Sequence, residues 1–135
     1  VISKFLLTAM GNSELTVNGE NETLDFTFVE DAAEGMVLAG LSPNAVNKTY
    51  NITKSHSKTL LEAANLAITL VGKGAVTVKE KHADFPSRGA LDITRAKEDF
   101  GFDPKVDIEE GFAKQYEWLS NSVYWNQKAI QKLTK

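Results

Sequence analysis

Residues 15–39 read "LTVNGENETLDFTFVEDAAEGMVLA", and this stretch decides the fold class. Leu15–Gly19 and Asp25–Val29 are two short β-rich runs joined by the polar turn "GENET". The helix-spaced "EDAAEGMVLAG" of residues 30–40 follows, with Asp31 as predicted N-cap, Glu34 three residues on, and Gly40 as the stop. Strand and helix alternate outward in both directions. Upstream, Ile2, Phe5, Leu6 and Ala9 fall at helical spacing and stop at Gly11. Downstream, "KTYNIT" at 48–53 reads as a strand, with Tyr50 and Ile52 in opposite phase to Asn51.

Ser57 is the predicted cap of a long helix over 58–74, whose Leu60, Leu61, Ala64, Ala67, Ile68 and Val71 share a face. "AVTVKE" at 75–80 is a strand candidate. Thr94 is expected to cap a short helix ending at Gly101, and Pro104 forbids its continuation. Asp107 and Glu110 form a capping-box pattern opening a helix with Ile108, Phe112, Tyr116 and Leu119 on one side. A final helix is expected over 122–135, with Trp125, Ala129 and Leu133 aligned.

The fold class is therefore α/β, α+β-like if the chain is a fragment, with a few short strands and about five or six helices. So few strands do not make an independent doubly wound sheet, and they are read as part of a sheet supplied elsewhere. The expected organisation is a main portion at 1–121 and a helical extension at 122–135. A first residue of Val within an apolar periodic segment suggests a fragment or processed product.

Composition narrows the function. The chain has 135 residues, 42% hydrophobic and 24% charged, which is ordinary for one globular domain. A net charge of −3 with scattered basic residues gives no footprint for nucleic acid, and no apolar run is long enough to span a membrane. Without cysteine, thiolate chemistry and disulfides are excluded. The sequons at Asn21, Asn47 and Asn51 read as chance occurrences.

No Gly-x-Gly-x-x-Gly, Walker loop, HExxH or Cys/His cluster is present, and no metal site is expected. His56 and His82 are isolated, and each reads as a surface or capping histidine. The pairs Glu30/Asp31 and Glu109/Glu110 sit in predicted first turns, where they compensate the helix dipole. Only two arginines occur among 15 basic residues, Arg88 and Arg95. Arg88 stands in a Pro-Ser-Arg-Gly turn, and its rigid fork of donors matches phosphate oxygens bidentately. The residues alone leave two readings open: an exposed arginine pairing with a carboxylate, or an anion-binding group. Arg95 reads as a solvated surface charge.

Three segments carry a resemblance: residues 15–39, "NKTYNIT" at 47–53, and "RGALDITRAKEDFGFDPKVDIEEGFAKQYEW" at 88–118. In this order they resemble the C-terminal portion of extended short-chain dehydrogenase/reductase enzymes, the NAD-dependent nucleotide-sugar epimerases and dehydratases. The resemblance places the Gly-rich NAD loop and the catalytic Tyr-x-x-x-Lys in an N-terminal Rossmann portion. No catalytic residue is therefore expected in this chain, which alone should turn over nothing and bind no NAD. It implies a nucleotide-sugar substrate, NAD in the full-length parent, the Rossmann portion as a partner, and a cytoplasmic setting. Self-association of the separated chain is expected if strand edges are left open.

Residue by residue, the resemblance implies that Thr16 and Asn18 contact the nucleotide base through their main chain, where Asn18 replaces the family's usual aromatic. Gly19, Asp25, Phe26, Val29 and Asp31 fit the family's Asp-Phe segment. Leu24 stands where the family has a phosphate-binding arginine, and Lys4 or Lys54 is a candidate replacement cation. Arg88 matches the second arginine of the diphosphate clamp. Asp92 and Thr94 are expected to fix the turn and cap the helix. Asn51 falls near the substrate end, with a structural role as the alternative. The broken clamp at Leu24 keeps a second function open: a non-catalytic, dinucleotide- or protein-binding relative acting as scaffold or sensor.

Overall fold

The computed structural model describes residues 1–81 and 88–122, so the helix expected over 122–135 and His82 lie outside the described residues. The described chain forms four strands, five α-helices and one 3-10 turn, in two compact units. The first takes Val1–Glu22 and the described parts of Thr59–Ser87 and Glu109–Lys135, and the second takes Thr23–Lys58 and Arg88–Ile108.

In the first unit, helix α1 (Ile2–Met10) ends at Gly11 and leads into strand β1 (Glu14–Asn18). Leu15 and Val17 are buried while Glu14, Thr16 and Asn18 face out, as a period of two requires. β1 pairs in parallel with β4 (Ala75–Lys79), Thr16 opposite Thr77 and Asn18 opposite Lys79. "LTVN" is thus not half of a local hairpin across "GENET". Its partner lies beyond helix α3 (Leu60–Val71), and parallel strands need such a crossover.

α3 opens with a capping box. The Thr59 hydroxyl accepts from the Glu62 N–H at 3.0 Å, and the Glu62 carboxylate accepts from the Thr59 N–H at 2.8 Å. Ser57, the expected cap, instead belongs to strand β3 (Ser57–Thr59). The buried face of α3 is also shifted from the leucine-rich one: Ala63, Ala64 and Ala67 are fully buried. Small side chains here allow α1 to approach closely and seat Phe5, Leu6 and Ala9. Helix α5 (Ile108–Asn121) contributes Phe112 and Leu119 to the core.

Among the described residues β1 and β4 form a two-stranded parallel pair, with no third strand joined to either. Parallel pairs normally lie inside larger covered sheets. Val78 of β4 is 43% exposed. The isolated chain is therefore expected to elute ahead of a monomer in size-exclusion chromatography, increasingly so with concentration, and Val78→Lys should reduce the effect. A monomeric profile at every concentration would count against it.

In the second unit, β2 (Thr23–Asp25) pairs with β3, and Phe26–Phe28, expected as strand, continue without sheet partners. Helix α2 (Val29–Leu41) begins one turn earlier than Asp31 would allow as its cap: Phe28 holds the N-cap position, and Gly40 lies inside the helix. Asp31 is buried, and its carboxylate accepts from the main-chain N–H groups of Lys105 and Val106 at 3.0 and 2.9 Å. These are two donors of an irregular segment that otherwise lack a helix or sheet partner. A 3-10 turn (Pro43–Ala45) follows α2, and helix α4 (Thr94–Phe100) ends at Gly101 in the left-handed conformation, φ +73°. Gly101 and Phe102 N–H groups close onto Lys97 and Ala96 carbonyls, and the turn drops the Phe102 ring into the core at 1% exposure.

Candidate functional site

Residues 88–93 form no helix, and only Arg88 touches a strand, through an isolated antiparallel bridge to Thr23. The main chain here is held by side chains from two other segments. The Thr23 hydroxyl donates to the Arg88 carbonyl, and the Leu91 N–H donates to Asp25 Oδ2 at 3.0 Å. The Ser55 hydroxyl donates to the Leu91 carbonyl at 2.7 Å, and Asn51 Nδ2 donates to the Asp92 carbonyl at 2.8 Å. Asp92 turns its own carboxylate to the Thr94 N–H at 2.8 Å, and hydrogen bonds from Thr94 hold its carboxyl below the usual carboxylate range. Thr94 is therefore the first helical residue rather than the cap, and Asp92 performs the capping chemistry.

Arg88 itself is exposed, and among the described residues no side chain pairs with its guanidinium. Asn51 belongs to the same unit, in an irregular segment rather than the expected strand. Thr16 and Asn18 lie on β1 of the first unit, side chains exposed. Leu24 is half-buried on β2. Lys54 does not stand free as a substitute cation: its ammonium donates to the Pro104 carbonyl and pairs with Asp107, each at 3.1 Å. Lys4 and His56 are exposed.

Two features of the supporting segments are energetically unfavourable. Ser55 has φ +59°, a left-handed conformation that costs a residue with a Cβ roughly 1–2 kcal/mol. Asp25 Oδ1 and Thr53 Oγ1 are buried without a hydrogen-bond partner among the described residues. Reasoning from the sequence matched Asp25 to the family's Asp-Phe segment without a role, and passed over Ser55. Neither the spacing of "TKSHS" nor its composition signals a left-handed serine.

Arg95 is not simply solvated. Its guanidinium lies 5.3 Å from the centre of the Tyr50 ring, which also meets Phe100 edge-on at 4.8 Å. The Tyr50 hydroxyl donates to Asp99, which also pairs with Lys48 at 2.9 Å. These two hydrogen bonds, Tyr50's first, hold the Asp99 carboxyl below its ordinary range. Desolvation followed by the Asp99 contact pushes the Tyr50 hydroxyl up. Because the folded-state value of Asp99 is depressed, this clasp contributes stability above the ordinary carboxylate pKa and loses it as pH falls through the lowered one. Tyr50 and Lys54 happen to stand four residues apart, but their polar groups are engaged with Asp99 and with Pro104 and Asp107, and no described contact joins them. Among the described residues no group of His, Cys, Asp and Glu is arranged to hold a metal, and no helix is long and apolar enough to cross a membrane.

No protein-family model matches the chain. Individual proteins do. It is 32% identical over 133 residues to UDP-glucuronic acid decarboxylase 1 of Xenopus tropicalis, an alignment covering 92% of this chain and 31% of that protein. The structure of epimerase Mth375 from Methanothermobacter thermautotrophicus superposes with a TM-score of 0.86 at 26% identity, over 98% of this chain and 39% of that one. The UDP-glucose 4-epimerase of Thermotoga maritima, solved with UDP-glucose, gives 0.79 at 25% identity, over 88% and 38%. The chain thus spans about a third of the length of the curated relatives it matches.

Proposed function

We propose that this chain, which belongs to the extended short-chain dehydrogenase/reductase family as the counterpart of its C-terminal portion, is the nucleotide-sugar-binding portion of an NAD-dependent epimerase or dehydratase. The observation that carries this reading is the Arg88 guanidinium: exposed, unpaired among the described residues, and mounted on a loop whose main chain is held at three successive points. A planar fork in that state suits a diphosphate, which it would grip by two charge-assisted bonds. The main-chain groups at Thr16 and Asn18 are the proposed contacts to the base, and Asn51 a secondary contact at the sugar end. With Leu24 in place of the family's arginine, Arg88 carries the diphosphate contact in this unit without that second guanidinium.

The role is positioning. Holding the diphosphate fixes where the sugar carbon meets the nicotinamide, a contribution of orientation rather than of bond-making. The sequence contains no Gly-x-Gly-x-x-Gly, and no hydride step is assigned to its residues. NAD and a Rossmann portion are proposed for the whole protein, in a cytoplasmic setting.

Calorimetric titration of the chain with UDP-glucose, UDP-glucuronate and uridine tests the reading. The two UDP-sugars should bind more tightly than uridine. Arg88→Ala should weaken them tenfold or more, since a charged hydrogen bond contributes roughly 1.5–3 kcal/mol, while uridine is unaffected. Arg88→Lys should recover only part of the loss. Equal affinity of wild type and Arg88→Ala for UDP-glucose would remove Arg88 from the site.

A further inference from the structure

We propose that Asp25 and Ser55 are positioning residues for the diphosphate site, acting through the main chain of the loop that carries Arg88. This inference rests on the reading of Arg88 given above. Beyond the bridge at Arg88, residues 89–92 have no helix or sheet bonding, and such a segment takes the shape imposed by whatever satisfies its N–H and C=O groups. At Leu91 both groups are satisfied by side chains, the N–H by Asp25 and the carbonyl by Ser55. Leu91 is 47% exposed, so the loop is not held at that point by burial of its side chain, and the two polar contacts set its course.

Both supporting residues carry energetic penalties that fold stability alone does not explain. Ser55 sits at φ +59°, where glycine would be unstrained, yet only a side chain with a donor reaches the Leu91 carbonyl. Asp25 leaves one carboxylate oxygen buried and unpaired among the described residues while the other holds the Leu91 N–H. Strain and unsatisfied polar atoms concentrate where geometry serves a ligand. Here both converge on a single residue, three positions from the guanidinium.

The experiment is a double-mutant cycle read by calorimetric titration with UDP-glucose, with thermal melts of every variant. Asp25→Ala should weaken binding roughly three- to tenfold in the wild-type background and leave affinity unchanged in the Arg88→Ala background. Asp25→Asn, whose amide oxygen can still accept from the Leu91 N–H, should restore wild-type affinity. Ser55→Gly is the decisive variant, because it relieves the strained φ while deleting the hydroxyl. Its melting temperature should not fall, yet UDP-glucose binding should weaken; a purely structural serine would show no such separation. If Arg88→Ala binds like wild type, or the wild-type chain takes up no UDP-glucose at millimolar concentration, the underlying reading fails. If Arg88→Ala weakens binding but Asp25→Ala and Ser55→Gly do not, or their losses add to that of Arg88→Ala, the positioning role alone is overturned.

Discussion

Replacing Asp31 by alanine should destabilise the second unit by about 3 kcal/mol, lowering the midpoint of its urea unfolding by roughly 1–2 M. The carboxylate is 3% exposed and receives the N–H groups of Lys105 and Val106. Deleting it does more than remove two hydrogen bonds. It leaves two donors without acceptors, one of them buried, and each such group carries a desolvation penalty of about 1–3 kcal/mol. Asp31→Asn should recover little, because an amide offers one acceptor and turns a donor toward the second N–H. Far-UV circular dichroism in urea provides the measurement. A loss below about 1 kcal/mol for Asp31→Ala would mean that residues 105 and 106 find other partners.

The second large effect concerns two glycines of the same helix. A Cβ at Gly35 would lie 2.5 Å from Ile52 Cγ2 and 2.8 Å from Phe102 Cε2. Alanine improves helix propensity by about 1 kcal/mol, but overpacking a closed core costs about 1–3 kcal/mol. The close contacts come from two different segments, and the Phe102 ring is 1% exposed with little room to retreat, so packing should win and Gly35→Ala should destabilise. At Gly40, five residues on, a Cβ would meet nothing within 4 Å. Gly40→Ala should therefore stabilise by nearly the full propensity difference of about 1 kcal/mol. Thermal melts showing the two substitutions moving in the same direction would refute this account.

Asp31 shows what the sequence discloses. Asp31 beside Glu30 carries the signature of a helix start, and the helix is there; its cap is not, because a tertiary contact 74 residues away claims the carboxylate. Local rules work where local bonds satisfy the chain, as at Gly11 and Gly101. They fail where the partner is distant. Tyr50 and Ile52 alternate like a strand, yet no described strand lies beside them, and Tyr50 bonds Asp99 instead. The capping box of α3 was legible as Thr59-x-x-Glu62, a better match than Ser57. Of the candidate site, Arg88 stood out because a rigid fork in a lysine-rich chain is unusual. Asp25 and Ser55 did not, since their partners are main-chain atoms, which leave no trace in residue identity.

The interleaving of the two units has a consequence for synthesis. β1 leaves the ribosome before its partner strand exists, and the whole Thr23–Lys58 stretch of the other unit must emerge before α3 can follow. Phe5, Leu6 and Leu15 therefore wait for α3 through seconds of translation. The second unit receives its last residue at Ile108, before α5 can deliver Phe112 and Leu119 to the first. Within these residues, the unit begun first is the one completed last.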